Sequence, residues 1–179
     1  MGVYESRVNA GRILAKTHPV EADLVVGVPE SGNPAALGYS MESGIPYGNA
    51  FIKNNYVGRT FIKPKQEQRE SSVKVKLNVL KEEVAGKRVV MIDDSIVRGT
   101  TSRRIVNLLR QAGAKEVHVR ISSPAFLHPC YFGTDIPSED QLVASGRTVD
   151  EICKYIEADS LGYLETDKLS EMICNQTGF

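Results

Sequence analysis

Short apolar runs alternate with helix-like segments along almost the whole chain, and this alternation constrains the fold more than any other feature. Two of the runs, within residues 22–29 and 87–93, consist mainly of valine, leucine, isoleucine and methionine. Such strands are buried on both sides, as in parallel sheets that are covered by helices. Strand and helix in repeated order predict an α/β fold, in which helices cover both faces of a parallel sheet through right-handed crossovers.

Local signals give the expected elements. Strands are predicted at residues 22–29, 47–52, 87–93, 116–122 and 160–164. One helix is predicted to follow Asn33, which can cap it, with Pro34 in the first helical position. A second is predicted to begin at Thr100 and Thr101, and a third at the capping box Thr148-x-x-Glu151. The second of these ends at Gly113, and a last helix covers residues 167–173.

Length and charge are those of an ordinary globular domain. The 179 residues carry 22 basic and 22 acidic side chains. A chain of this size buries about 70% of its unfolded surface, so its core needs no disulfide or metal. The balanced charge predicts no nucleic-acid partner, and the lack of an apolar run of about 18 residues predicts no membrane span. We therefore expect one soluble, cytoplasmic domain over residues 1–179.

The stretch VVMIDDSIVRGTTS, residues 89–102, carries the strongest functional signal. An apolar strand runs into two adjacent carboxylates, Asp93 and Asp94. These lie at the carboxyl end of the strand, where open parallel sheets bind their ligands. A turn with glycine and hydroxyl groups then opens a helix, and such a helix N-terminus binds anions. A sugar phosphate fits this arrangement.

Two other phosphate-binding loops do not match the stretch. The GK[ST] of a nucleoside-triphosphate P-loop is missing, and the glycines do not follow GxGxxG. The structural alternative is that Asp93 ends the strand, Asp94 caps the helix, and Thr100 and Thr101 begin it. The whole string is more ordered than capping requires, which favours a binding loop.

The same stretch resembles the phosphoribosyl pyrophosphate (PRPP) signature of the type I phosphoribosyltransferases. Together with VVGVPESGNPAALGY, NNYVGRTFIKPKQEQRE and VDEICKYIEADSLGYL, it is similar to the amidophosphoribosyltransferase family. The resemblance runs along the whole chain but covers only the C-terminal phosphoribosyltransferase half of that family. It implies the type I fold, a Rossmann-like parallel sheet with a flexible lid loop.

The resemblance assigns residues to three parts of a PRPP site. Asp93 and Asp94 correspond to the catalytic acids, which reach the ribose hydroxyls and Mg²⁺. The PRPP phosphate loop corresponds to Ser95, Ile96, Val97, Arg98, Gly99, Thr100 and Thr101. The pyrophosphate loop corresponds to Pro29, Glu30, Ser31 and Gly32, with Ser31 as a third Mg²⁺ contact. Such a set suits Mg²⁺, which takes few protein oxygens and completes its shell with water and phosphate.

The basic segment 54–78 corresponds to the family's lid over PRPP. Arg59 and Lys63 are its expected phosphate contacts, and the alternative for both is a solvated basic surface. A mobile, positively charged lid suits a substrate with a pyrophosphate and a monophosphate.

The implied reaction is the displacement of pyrophosphate from PRPP by ammonia, which gives 5-phosphoribosylamine in the first committed step of purine synthesis. Mg²⁺ and backbone amides would stabilise the departing pyrophosphate. Ammonia needs no strong base, so His18, His118 and His128 are expected to be structural or exposed. The resemblance also implies AMP and GMP as inhibitors and a homotetramer.

The chain departs from the family in its cysteines. Family members begin with a glutaminase domain and its nucleophilic cysteine, whereas the first cysteine here is Cys130. We therefore expect a fragment of a longer parent that uses ammonia at best. Cys130 matches an iron–sulfur ligand of one branch of the family, but Cys153 and Cys174 match no ligand. Since a cluster takes four thiolates, no intact cluster is expected, and Cys130 should be an exposed, oxidisable thiol.

Two other functions compete with this one. A regulator of the same fold that binds PRPP or nucleotides without turnover could lose the basic lid or the pyrophosphate loop, and this chain has both. A salvage phosphoribosyltransferase would need a segment that recognises a base, and no such segment is found.

Overall fold

The computed structural model describes residues 2–53, 77–129 and 138–174. Its strands are β1 (Leu24–Gly27), β2 (Phe51–Lys53), β3 (Leu77–Val79), β4 (Arg88–Asp93), β5 (Glu116–Ile121) and β6 (Ser160–Tyr163). Its helices are α1 (Val3–Thr17), α2 (Asn33–Ser43), α3 (Lys81–Val84), α4 (Thr100–Gln111), α5 (Val149–Tyr155) and α6 (Leu169–Cys174). Single 3₁₀ turns lie at Glu139–Gln141 and Thr166–Lys168.

Four strands form the predicted parallel sheet, in the order β1-β4-β5-β6. Their register sets Val26 opposite Met91 and Met91 opposite Val119. All four residues of β1 and five of the six in β4 are buried, as their uniform apolar composition predicts. This parallel sheet confirms the predicted α/β class.

Helices cover both faces of this sheet, as predicted. On one face, Val89, Met91 and Val119 pack against residues of α4 and α5. On the other, Val25, Val90 and Ile92 pack against α1 and α2. Neighbouring residues of β4 thus enter different cores, because successive strand side chains point to opposite faces.

Helices α1 and α2 meet backbone to backbone. A Cβ atom added to Gly11 would lie 1.8 Å from the carbonyl oxygen of Ala35, and one added to Gly38 would lie 1.9 Å from that of Val8. The lack of side chains at both glycines is what allows the two helices to approach so closely. Helix α1 is the longest helix in the described residues, but the sequence patterns did not predict it specifically.

One predicted strand was misplaced. The predicted strand 47–52 is shifted towards Phe51–Lys53, and β2 pairs antiparallel with β3 in a separate two-stranded sheet. Tyr47 makes only an isolated bridge to Val25. Because β3 begins at Leu77, the end of the segment predicted as a lid is a strand.

Helix α2 also starts one residue earlier than predicted. Gly32, with φ −76° and ψ −20°, is its cap, so Asn33 is already helical and makes no side-chain capping bond. The cause lies in the preceding turn, where the Gly32 N–H donates to the Val28 carbonyl at 2.9 Å and so begins the helical path early. The predicted start of α4, the glycine after it and the capping box of α5 are confirmed.

Within the described ranges, no helix has both the length and the apolar character that a membrane crossing requires.

Candidate active site

The two carboxylates predicted from the sequence lie where β4 ends, at the carboxyl edge of the sheet. Asp93 is the last residue of the strand and is only 8% exposed, whereas Asp94 is half-buried. The Asp94 N–H donates to Asp93 Oδ1 at 2.8 Å, and Ser95 Oγ lies 3.4 Å from Asp94 Oδ1. The strand therefore ends in a tight acidic turn.

Burial and the neighbouring negative charge of Asp94 both disfavour the ionised form of Asp93. The pKa of Asp93 rises from 3.8 to about 7, first because the carboxyl is desolvated and second because Asp94 is negative. The backbone bond from Asp94 opposes that rise. Such a carboxylate is best stabilised by a cation or by hydroxyl donors of a ligand.

The predicted phosphate loop follows directly and ends at the N-terminus of α4. Gly99 caps the helix with φ 75°, a left-handed conformation that favours glycine, and within the described part of the chain no side chain caps the helix. No acidic residue lies in the first turn. The exposed Thr100 and Thr101 begin the helix, so its first N–H groups and its positive dipole end remain available to an anion.

The loop residues between Asp94 and Gly99 have distinct roles. The Ile96 side chain is 1% exposed and belongs to the core beside α4, so only its backbone can meet a ligand. The Val97 carbonyl accepts from the Val143 N–H at 2.8 Å. The Arg98 guanidinium donates through Nε, at 3.2 Å, and through Nη2 to Gln141 Oε1. The loop is thus tied to the Glu139–Gln141 turn and to Val143 just after it.

The predicted pyrophosphate loop, Pro29–Gly32, lies beside the end of β4. The Val28 N–H donates to the Ile92 carbonyl at 2.8 Å. A Cβ atom added to Gly32 would lie 2.4 Å from the same Ile92 oxygen, so the turn packs directly on the strand that carries Asp93. Ser31 is half-buried and Glu30 is exposed, and the peptide bond between Pro29 and Glu30 is cis.

One cation near this turn was missed by the sequence analysis. Lys53, the last residue of β2, donates to Glu30 Oε1 at 3.0 Å, and its side chain is 41% exposed. The sequence did contain a signal for it, because Lys53 ends the strand that leads into the basic segment 54–78. It adds a positive charge beside the Pro29–Gly32 turn.

Several predicted residues lie outside the described ranges: Arg59, Lys63 and Cys130. The histidines behave as expected. His118 is buried between Ser160 and Glu116, His18 contacts the Tyr163 carbonyl, and His128 is exposed.

The carboxylate pair fits a magnesium ion better than a metal that needs a full protein cage. Among the residues that the structure describes, no group of three or more His, Cys, Asp or Glu side chains could hold a metal. Mg²⁺ does not need one, because it binds through one or two carboxylates together with water and substrate phosphates. Asp93 and Asp94 could supply the hard oxygen ligands for such an ion, since their two carboxyl groups are adjacent and Asp93 is buried.

Comparison with known proteins gives a consistent result. Residues 7–122 match the family model described as phosphoribosyl transferase domain. The amidophosphoribosyltransferase of Synechocystis sp. is 59% identical over 165 residues, which are 92% of this chain and 33% of that protein. The amidophosphoribosyltransferase of Archaeoglobus fulgidus is 55% identical over 173 residues, which are 97% of this chain and 38% of that protein.

The fold also matches a solved structure of such an enzyme. The glutamine PRPP amidotransferase of Bacillus subtilis, complexed with ADP and GMP, superimposes with a TM-score of 0.86 at 52% identity. The match covers 99% of this chain and 39% of that one. This chain therefore spans between a third and two fifths of the length of these relatives.

Proposed function

The chain belongs to the phosphoribosyl transferase domain family, and we propose that it catalyses the phosphoribosyl transfer of an amidophosphoribosyltransferase. In this reaction, ammonia displaces pyrophosphate from the anomeric carbon of PRPP and gives 5-phosphoribosylamine, a step of purine synthesis. The similarity to amidophosphoribosyltransferases along 92% and more of the chain supports this choice over other phosphoribosyl transfers.

One observation carries the proposal. The acidic turn at the end of β4 lies between the uncapped N-terminus of α4 and the Pro29–Gly32 turn, which packs on the same strand. PRPP has three groups in the same order, a terminal phosphate, a ribose with two hydroxyls, and a pyrophosphate. The site therefore offers a complementary group to each part of this substrate.

Each part of the site has a physical role in binding. The N–H groups of the phosphate loop, Ser95–Thr101, bind the terminal phosphate with the help of the helix dipole. Asp93 and Asp94 accept hydrogen bonds from the ribose hydroxyls. The Pro29–Gly32 turn binds the pyrophosphate through its backbone. Lys53 pairs with Glu30 of this turn, and its ammonium group leaves that carboxylate to bind a phosphate oxygen when PRPP is present.

Asp93, Asp94 and Ser31 would hold Mg²⁺. When bound, the ion supplies positive charge to the leaving pyrophosphate, and this lowers the barrier to its departure. The residues of the chain hold the ribose and both phosphate groups in fixed positions, so that the anomeric carbon faces the nucleophile. Ammonia is itself a nucleophile and needs no general base, which agrees with a site that places no histidine beside the acidic turn.

Purine nucleotides are expected to compete for the same phosphate loop. AMP and GMP carry a ribose 5-phosphate like that of PRPP, and the solved Bacillus subtilis relative was complexed with ADP and GMP. A regulator that binds nucleotides without turnover is less well supported, because the carboxylates and the pyrophosphate turn are both in place. Assembly into a homotetramer, and the Arg59 and Lys63 contacts of a lid, are further parts of the proposal.

The experiment is pyrophosphate release from PRPP and Mg²⁺ at alkaline pH, with and without ammonium chloride. We expect release that depends on ammonia and is lost in Asp93→Asn. Asp23→Asn is the matched control, since Asp23 lies before β1, at the amino ends of the strands, where its carboxylate pairs with Arg88 and takes no part in the acidic turn. Release that is unchanged in Asp93→Asn, or that does not respond to ammonia, would contradict the proposal.

A further inference from the structure

The aromatic ring of Tyr155 lies directly against Gly99, the residue of the phosphate loop that caps α4. A Cβ atom added to Gly99 would be 2.8 Å from Tyr155 Cε1 and 3.2 Å from Cδ1, and 3.3 Å from a methyl group of Val143. The backbone of Gly99 therefore rests on the ring without any intervening side chain. Since Gly99 is also the cap of α4, the ring supports the point at which the loop becomes a helix.

Two arginines hold the ring in place. The guanidinium carbons of Arg103 and Arg147 each lie 5.7 Å from its centroid. Arg103, on α4, also donates through Nε to Glu157 at 2.9 Å, and Arg147 Nη1 lies 3.4 Å from the Val143 carbonyl. The ring thus has a cation partner from the helix after the loop and another from the segment before α5.

The element that carries Tyr155 is itself well anchored. Tyr155 is the last residue of α5, whose N-terminus has a complete capping box between Thr148 and Glu151. Ile152 in the same helix is 1% exposed and joins the core beside α4. A side chain on such a short, capped and packed helix has a defined position, which a support for a binding loop needs.

We propose that Tyr155 is a positioning residue for the phosphate loop, which acts through Gly99 to aim the N–H groups of α4 at the terminal phosphate of a sugar phosphate. The inference deepens the proposed function and rests on it, because it concerns the loop that binds PRPP. The Val143–Val97 bond and the Arg98–Gln141 contact hold the two residues before Gly99, so the Tyr155 ring extends the support of the loop to the start of α4.

A purely structural role for Tyr155 makes a different prediction. If the ring only filled the core, its truncation would lower the free energy of unfolding and affect all ligands alike or none. Positioning through Gly99 should instead weaken the ligand that the phosphate loop holds and leave the ligand of the Pro29–Gly32 turn unchanged. Ribose 5-phosphate and magnesium pyrophosphate separate these two parts of the site.

The test is titration calorimetry of the whole chain with each of these two ligands. We expect Tyr155→Leu to raise the Kd for ribose 5-phosphate about tenfold, which corresponds to one lost hydrogen bond to a charged group. The Kd for magnesium pyrophosphate should not change, and Tyr155→Phe should behave as the wild type. Tyr47→Leu is the matched control, because Tyr47 is half-buried against the core of the opposite face.

The outcomes separate the two proposals. If the wild type binds neither ligand, the proposed function fails, and the role of Tyr155 fails with it. If the wild type binds both and Tyr155→Leu binds ribose 5-phosphate equally well, or weakens both ligands alike, only the positioning role is refuted. If Tyr155→Leu does not fold, Arg147→Gln removes one cation from the ring without truncating the core, and the same selective loss is expected from it.

Discussion

The contact of Gly32 with the end of β4 allows a direct test of how the pyrophosphate turn is placed. Gly32 has φ −76° and ψ −20°, a conformation that any residue adopts, so alanine brings no backbone strain there. Its Cβ atom, however, would lie 2.4 Å from the Ile92 oxygen and 2.9 Å from the N and O atoms of Val28. All three are backbone atoms, which cannot rotate away.

The size of the effect follows from that overlap. An ordinary contact begins near 3.4 Å, so the turn in Gly32→Ala must move by roughly 1 Å, at a cost of about 1–3 kcal/mol in the free energy of unfolding. A displacement of 1 Å in a group that positions the substrate reduces the rate by about 100-fold. We therefore expect kcat/KM for ammonia-dependent pyrophosphate release to fall by about two orders of magnitude.

Three measurements check this reasoning: urea unfolding, pyrophosphate release, and calorimetry with ribose 5-phosphate. Binding of ribose 5-phosphate should persist, because the phosphate loop does not include Gly32. Gly2→Ala is the control, since Gly2 also has a negative φ and, as far as the described residues go, no atom lies within 4 Å of an added Cβ. A Gly32→Ala protein that keeps kcat/KM within about threefold of the wild type would refute the inference that a displaced Pro29–Gly32 turn slows the reaction.

Three further predictions concern stability. Tyr163 has a buried hydroxyl that finds no hydrogen-bond partner among the described residues, so Tyr163→Phe should raise the free energy of unfolding by about 1 kcal/mol in urea titrations, and a loss would contradict this. Gly11→Ala drives a Cβ to 1.8 Å from the Ala35 oxygen and should lower the melting temperature by at least about 5 °C in calorimetric scans; an unchanged value would show that α1 can move. Arg88 donates to Asp23 and lowers its pKa from 3.8 to about 2, so this pair stabilises the fold above pH 4 and loses its effect as the pH falls towards 2. The stability difference between wild type and Asp23→Asn should shrink over that range, and a difference that grows instead would refute the assignment.

The sequence predicted the parts of the fold that depend on local pattern. The apolar composition of 87–93 was enough to identify β4, because a strand buried on both faces carries mainly apolar side chains. In β5, Val117, Val119 and Ile121 gave the strand signal, although the His118 and Arg120 between them are buried as well. The capping box at Thr148 was equally reliable, since both of its hydrogen bonds are local. The position of Asp93 at the strand end followed from the same pattern.

Features that depend on distant contacts could not be predicted in this way. The pairing of β2 with β3 joins segments separated by residues 54–76, and no short-range signal specifies it. The start of α2 at Gly32 depends on a turn that packs against β4, and the role of Lys53 depends on where Glu30 lies. The contact of Tyr155 with Gly99 joins residues more than fifty positions apart, so only the folded chain reveals it.

The way in which the site loops are attached has a consequence for how such a domain can diversify. The Val28 N–H bonds the Ile92 carbonyl, and the Ser122 N–H bonds the Asp93 carbonyl at 3.0 Å. These anchors use only main-chain atoms at the strand ends, so they do not depend on which side chains the loops carry. Loops from a relative with another substrate could therefore be grafted onto the same strand ends, and new specificity could arise while the scaffold is inherited unchanged.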